Sequence, residues 1–67
     1  MLMSEDNSFL RKRAVLARTG LSKTTMYRLI QAGKFPRQEP IGPHMVGWRV
    51  AHIEKWLQSP LEYRQEE

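Results

Sequence analysis

Apolar residues in the first half of the chain recur with the spacing of an amphipathic helix. Met26, Leu29 and Ile30 follow the i, i+3, i+4 pattern, which places them on one helix face. Ser22 precedes this stripe, and a serine hydroxyl at that position can accept a free backbone N–H of the first turn. Gly33 follows the stripe, where a helix commonly ends in a left-handed residue. The pattern predicts a helix from 22 to 32.

The opposite face of this predicted helix is polar and carries no acid. Thr24, Arg28 and Gln31 point away from the apolar stripe, and no Asp or Glu occurs between 14 and 36. Arginine bonds guanine through two donors, glutamine bonds adenine, and threonine reaches a phosphate or a thymine methyl group. The face therefore favours a reader of the DNA major groove, with an ordinary solvated surface as the alternative. The candidate DNA contacts on this helix are Ser22, Lys23, Thr24, Thr25, Tyr27, Arg28 and Gln31.

The segment before this helix predicts the other half of a helix-turn-helix. Residues 11–18 are interpreted as a short helix whose buried residues are Val15 and Leu16, with Leu10 near the same core. Thr19-Gly20-Leu21 is the predicted turn, in which Gly20 can take a conformation that a residue with a Cβ resists.

The segment after the helix predicts a small β-hairpin, or wing. Two short strands, 38–41 and 46–49, are separated by the turn-forming residues 42–45, and Phe35 before them is expected in the core. Pro40 indicates that its strand lies at a sheet edge, since proline cannot donate a ladder hydrogen bond. Gly47 indicates a bulge or a close backbone approach, and Trp48 is expected to pack inward.

A third helix is predicted from 51 to 58. Ile53, Trp56 and Leu57 form its expected buried stripe, and no residue before it is a good cap. In the tail that follows, Leu61 and Tyr63 either pack back onto the domain or meet a partner.

These elements predict one mainly α domain with a small β-hairpin, a three-helix winged helix-turn-helix. The expected division is a polar N-terminal tail at 1–8, the domain at 9–58 and a polar C-terminal tail at 59–67. A chain of 67 residues has room for one such domain with a modest core.

Charge is distributed unevenly along the chain. The net charge is +4, but from Phe9 to Arg49 nine basic residues face one acid, a net charge of +8. Such a basic middle with acidic ends is typical of a phosphate-binding surface. Candidate phosphate contacts in the wing and the flanks are Arg11, Lys12, Arg13, Lys34, Arg37, His44 and Arg49.

Composition argues against several other classes of protein. The chain has no cysteine and two histidines, so a thiolate zinc site is excluded, and no catalytic arrangement, metal site or cofactor site is expected. The chain shows no signal peptide or apolar span, and neither a membrane nor a small-molecule substrate is an expected partner. The expected location is the cytoplasm, at the nucleoid of a bacterium or phage-infected cell.

Residues 9–58 resemble the AlpA-type prophage regulators, small winged-helix proteins related to excisionases and to the DNA-binding part of MerR-type regulators. The segments that carry the resemblance are Thr19-Gly20-Leu21-Ser22, Tyr27-Arg28-Leu29-Ile30, Gly33-Lys34-Phe35-Pro36, Gly47-Trp48-Arg49, Ile53-Glu54 and Trp56. The resemblance implies a transcription regulator of prophage genes that binds double-stranded DNA, with a recognition helix at 22–32 and a wing at 41–47. An integrase and a second copy of the chain are candidate further partners.

Three positions depart from the pattern of this family. His44 stands where the wing often has arginine, Ala51-His52 where a Ser-Asp cap is usual, and Met45 where a small residue is usual. A wing contact through His44 would therefore depend on pH. Two alternatives remain: an excisionase that bends attachment-site DNA, and an antirepressor that uses the same fold to bind a protein.

Overall fold

The computed structural model of the protein describes residues 8–65. Within this range the chain forms three helices and three strands, in the order β1 (Phe9–Leu10), α1 (Lys12–Thr19), α2 (Lys23–Gln31), β2 (Glu39–Gly42), β3 (Met45–Arg49) and α3 (Val50–Gln58). The predicted three-helix architecture with a hairpin is confirmed. Each predicted helix and strand lies within one residue of its observed bounds.

The hairpin belongs to a three-stranded antiparallel sheet, because Phe9–Leu10 adds a strand that was not predicted. The strand order is β1-β3-β2, with Phe9 opposite Arg49 and Leu10 opposite Trp48. The edge position expected for Pro40 is confirmed, since β2 is an outer strand. The sheet therefore places β3 at its centre, next to both other strands.

The close backbone approach expected at Gly47 is also confirmed. A Cβ added there would lie 2.9 Å from the carbonyl oxygen of Leu10 and 3.1 Å from Cδ1 of Ile41. A side chain at this position would push β1 or β2 away from β3, so glycine allows the three strands to pair.

The turn between α1 and α2 is closed by local hydrogen bonds. Gly20 has the expected left-handed conformation, with φ +76°, and its N–H donates to the carbonyl of Leu16 over 2.8 Å. The Thr19 hydroxyl donates to the carbonyl of Val15 over 2.9 Å and accepts the N–H of Leu21 over 3.3 Å. These bonds fix how α2 follows α1.

Both ends of α2 are capped as the sequence predicts. The Ser22 hydroxyl accepts the N–H of Thr25 over 3.2 Å. At the other end Gly33 has φ +76°, and the Gly33 and Lys34 N–H groups donate to the carbonyls of Ile30 and Leu29. This pair of bonds is a Schellman motif, which satisfies carbonyls that the helix leaves free.

One core joins the helices to the sheet. Its buried apolar residues are Val15, Met26, Phe35, Trp48, Val50, Ile53 and Trp56. Further apolar residues lie partly buried against it: Leu10, Leu16, Leu21, Leu29, Ile30 and Tyr63. The expected burial of Phe35, Trp48, Ile53 and Trp56 is confirmed.

The two indoles hold the loop between α2 and β2. Trp48 Nε1 donates to the carbonyl of Pro36 and Trp56 Nε1 to that of Lys34, each over 2.9 Å. The Phe35 ring packs edge-on against Trp56, with ring centroids 4.9 Å apart. The loop that follows α2 is therefore bonded to the core on both sides of Phe35, at Lys34 and at Pro36.

The prediction that Leu57 is buried was wrong. Leu57 is 40% exposed, because Trp56 occupies the last core position of α3. The next residue on a helix is turned by about 100°, which carries Leu57 toward solvent. As expected, α3 has no side-chain cap; instead the N–H of Val50 donates to the carbonyl of Ser8 over 3.0 Å.

The C-terminal tail packs back in part. Tyr63 contacts the core, whereas Leu61 is 91% exposed. The N–H of Gln65 donates to the carbonyl of Gly33 over 2.7 Å, and its side-chain oxygen accepts the N–H of Arg37 over 3.1 Å. The domain division stays a prediction, and residues 1–7 and 66–67 of the two predicted tails lie outside the described residues.

Candidate nucleic-acid interface

The outer face of α2 presents free polar groups. Lys23, Thr24, Arg28 and Gln31 are exposed, while Met26 on the opposite face has no exposed surface. Within residues 8–65 the guanidinium of Arg28 and the ammonium of Lys23 have no hydrogen-bond or ion-pair partner. The two cations of this face are therefore available to a ligand without the loss of an internal contact.

Two of the predicted contacts on α2 already hold the start of the helix. The Ser22 hydroxyl accepts the N–H of Thr25 and also donates to the Thr25 hydroxyl over 3.0 Å. Ser22 is exposed and Thr25 is half-buried. Their hydroxyls therefore contribute first to the cap that positions the remaining side chains of this face.

A groove lies between the start of α1, one flank of α2 and β3; we call it the α1–β3 groove. Its volume is about 330 Å³, and the residues that line it are Arg11, Lys12, Arg13, Tyr27, Val46 and Trp48. The ammonium nitrogen of Lys12 lies over the Tyr27 ring, 5.9 Å from its centroid. Four predicted contacts thus meet in one groove whose lining has no carboxylate.

The start of α1 strengthens the positive potential at this groove. The first turn of α1 contains no acid, and Arg11 at the N-cap makes no side-chain capping bond. A helix N-terminus carries partial positive charge from its free N–H groups, so cations there are unfavourable unless an anion is near. Basic residues in the first turn suit a helix that meets phosphates.

The remaining flanking cations lie in loops. The exposed side chains of Lys34 and Arg37 extend from the segment between α2 and β2. Their backbones are fixed, since the Lys34 carbonyl accepts the Trp56 indole and the Arg37 N–H donates to Gln65. These two side chains therefore project from a rigid support next to the C-terminal end of α2.

His44 lies at the turn of the hairpin with an unfavourable backbone conformation. It is exposed and has φ 60°, and Pro43 precedes it. Proline at the second position and a positive φ at the third are features of a type II turn, where glycine or asparagine is usual. This constraint was not among the predictions, although the Pro43-His44 pair in the sequence was a signal for it.

Arg49 differs from the other predicted contacts because it has internal partners. Its Nε lies 3.2 Å from Oε2 of Glu39, and its guanidinium lies 4.9 Å from the centroid of the Phe9 ring. His52 Nδ1 lies 3.8 Å from the same Glu39 oxygen. This cluster ties together β1, β2, β3 and α3. Glu39 lies opposite Gly47, two residues from Arg49 in β3, so the hairpin register could have indicated the pair.

Among residues 8–65, no three side chains of the metal-ligating types lie together. In this range no helix has the length and apolar character needed to cross a membrane.

Comparison with known proteins identifies the family of this chain. Residues 8–61 match the family model described as "Prophage CP4-57 regulatory protein (AlpA)", a range that includes all six elements. The chain is also 36% identical over 56 residues to "Uncharacterized protein ORF88" of Enterobacteria phage P4. That alignment covers 84% of this chain and 64% of the relative, so the chain spans a little under two-thirds of the relative's length. No solved structure matches the chain. The chain belongs to the AlpA family of prophage regulatory proteins.

Proposed function

We propose that this chain is a sequence-specific regulator that binds double-stranded DNA, with α2 in the major groove and the β2–β3 hairpin as a wing. Membership of a prophage regulatory family supports this class of function. The observation that carries the proposal is the outer face of α2. It is exposed, free of acid, and carries cations without a partner among the described residues.

The support of α2 suits a helix that reads bases. The major groove is wide enough to admit an α-helix, but base discrimination requires side chains held in a defined place. Ser22 caps one end of α2, the Schellman motif at Gly33 closes the other, and Met26 is fully buried. A helix held at three places presents its outer face with little freedom.

Two side chains on this face are assigned to base edges, and two more contact the DNA beside them. Arg28 has a planar fork of donors that matches O6 and N7 of guanine, and Gln31 can bond adenine through its amide. Thr24 lies one turn before Arg28 and contacts a phosphate or a thymine methyl group. Lys23, in the first turn, contacts phosphate without base preference.

The other predicted residues have supporting roles in this proposal. Lys34, Arg37 and His44 contact phosphates that flank the site. Arg49 stabilises the wing through its contacts with Glu39 and Phe9. It is not assigned to a phosphate, because a phosphate would have to compete with the ion pair to Glu39. This division separates the cations that contact phosphate from Arg49, which stabilises the wing.

The rival function is a protein-binding module without DNA affinity. Binding of the wild-type chain to a random-sequence duplex, measured by fluorescence anisotropy over a range of salt concentrations, separates the two. For a DNA-binding protein, the logarithm of the association constant falls linearly with the logarithm of the salt concentration, with a slope of about −0.9 for each phosphate contacted. We expect a steep slope, and the absence of binding at low salt would contradict the proposed function.

A further inference from the structure

The α1–β3 groove lies beside the face of α2 assigned to base reading. Tyr27 lines the groove, and Arg28 is the next residue of α2, turned about 100° around the helix axis. A ligand in the groove would therefore run along one flank of α2 and leave the Arg28 side chain free to contact a base.

We infer that this groove binds the sugar–phosphate backbone of one DNA strand, an inference that rests on the proposed function. A helix in the major groove is bordered by the backbones of both strands, so a backbone is the chemistry that its flank meets. The groove offers what such a ligand requires. Arg11, Lys12 and Arg13 supply cations, the Tyr27 hydroxyl supplies a donor, and Val46 supplies apolar surface for a sugar.

The position of Lys12 favours an incoming phosphate. Its ammonium nitrogen lies 5.9 Å from the Tyr27 ring centroid and has no carboxylate partner within residues 8–65. The ring attracts the cation toward the groove, but it does not neutralise the charge. A phosphate therefore gains a partner at Lys12 without breaking an ion pair, unlike at Arg49, where Glu39 would have to be displaced.

Tyr27 has a different role under this inference from that of the other outer residues of α2. The side chain is 36% exposed and faces Lys12, which places it at the wall of the α1–β3 groove. We assign it to a backbone contact and not to a base. Its loss should consequently weaken binding equally on all sequences.

The primary test compares Lys12→Gln with Lys55→Gln, a lysine on α3 outside the groove. Both variants lose one positive charge from an exposed helical side chain, so they change the net charge of the chain equally. We expect Lys12→Gln to reduce the salt slope by about 0.9 and the affinity at 0.1 M salt roughly tenfold, on random and preferred duplexes alike. Lys55→Gln should leave the slope unchanged. Equal slopes for the two variants would overturn the inference.

A second measurement locates the contact on the DNA. Single phosphates of the preferred duplex are replaced by neutral methylphosphonates, and each duplex is titrated with wild type and with Lys12→Gln. At one position, we expect the methylphosphonate to weaken DNA binding by wild type but to have little further effect on DNA binding by Lys12→Gln. The reason is that the two changes remove the same contact. Additive losses at every phosphate would overturn the inference.

Two further outcomes separate this inference from its alternatives. If wild type binds no duplex, the proposed function fails and the inference fails with it. If wild type binds but Lys12→Gln only lowers the melting temperature of the free protein, the Lys12 ammonium stabilises the fold through its contact with Tyr27, and only the backbone assignment is overturned. Tyr27→Phe, which keeps the ring and removes the hydroxyl, should show a smaller uniform loss than Lys12→Gln.

Discussion

Helices α2 and α3 are both nine residues long, and each packs one apolar stripe into the same core. Their outer faces nevertheless differ in how their charges are used. On α3, Glu54 lies 3.9 Å from Arg18, and His52 lies 3.8 Å from Glu39. On α2 the two cations of the outer face, Lys23 and Arg28, have no ion-pair partner within residues 8–65.

The two helices also differ in what holds them. Ser22 caps α2 and Gly33 closes it, so much of its placement is encoded within the helix and its immediate flanks. No side chain caps α3, which is anchored by the buried residues Ile53 and Trp56. The comparison indicates that α3 mainly stabilises the domain. Helix α2 is fixed at both ends, and its outer cations stay unpaired.

The largest expected effect is the loss of the anchor of α3. Trp56→Ala removes a buried indole, its bond to Lys34 and its packing against Phe35. Truncation of a buried tryptophan costs about 3–5 kcal/mol, a large share of the stability of so small a domain. We expect most of the protein to be unfolded in a circular dichroism melt near room temperature.

Leu57→Ala is the control on the same helix. Because Leu57 is 40% exposed, we expect it to lower stability far less than Trp56→Ala. Melting curves of similar midpoint for the two variants would show that α3 is not anchored through Trp56.

The next effect concerns DNA affinity and distinguishes the two outer faces. Arg28→Ala should weaken binding to the preferred duplex by about 1–3 kcal/mol, since it removes the proposed bidentate contact to one base. Lys55→Ala on α3 removes a cation that is also exposed, and it should change the affinity little. Fluorescence anisotropy titrations on one duplex measure both, and a larger loss for Lys55→Ala would reverse the roles of the helices.

The cap of α2 gives a smaller effect on stability. Ser22→Ala leaves the N–H of Thr25 without its partner and should cost about 1 kcal/mol. Ser59→Ala, just past the end of α3, is the matched control and should remain within about 0.5 kcal/mol of wild type. Urea unfolding measures both free energies, and indistinguishable values would mean that α2 is held by the core alone.

An element can be predicted from the sequence when the residues that determine it lie close together along the chain. The bounds of α2 follow from Ser22, the stripe that begins at Met26, and Gly33, all within a dozen residues. Strand β1 has two residues and exists through its pairing with Trp48 and Arg49, far along the chain, so no local pattern indicates it. The fold class was thus predictable, but the third strand was not.

The site shows the same limit. The free cations of α2 were predictable from the absence of acid around them. The position of Lys12 over Tyr27 and the pairing of Arg49 with Glu39 depend on tertiary packing. The error at Leu57 has the same origin, since periodicity identifies a face but not which of its residues the neighbouring elements cover.

The smallest expected effects concern the hairpin turn. His44→Asn places a residue that tolerates positive φ better at this position and should raise stability by a few tenths of a kcal/mol, as measured by urea unfolding. A free energy of unfolding no higher than that of wild type would contradict strain at this turn.

Selection of preferred sequences from random duplex DNA tests the role of α2 most directly. It is carried out on wild type, Arg28→Ala and Lys23→Ala. If the outer face of α2 reads bases, Arg28→Ala relaxes the preference at one base pair, whereas Lys23→Ala keeps the wild-type preference at lower affinity. An unchanged preferred sequence for Arg28→Ala, with a uniform loss of affinity, would contradict the proposed docking of this helix.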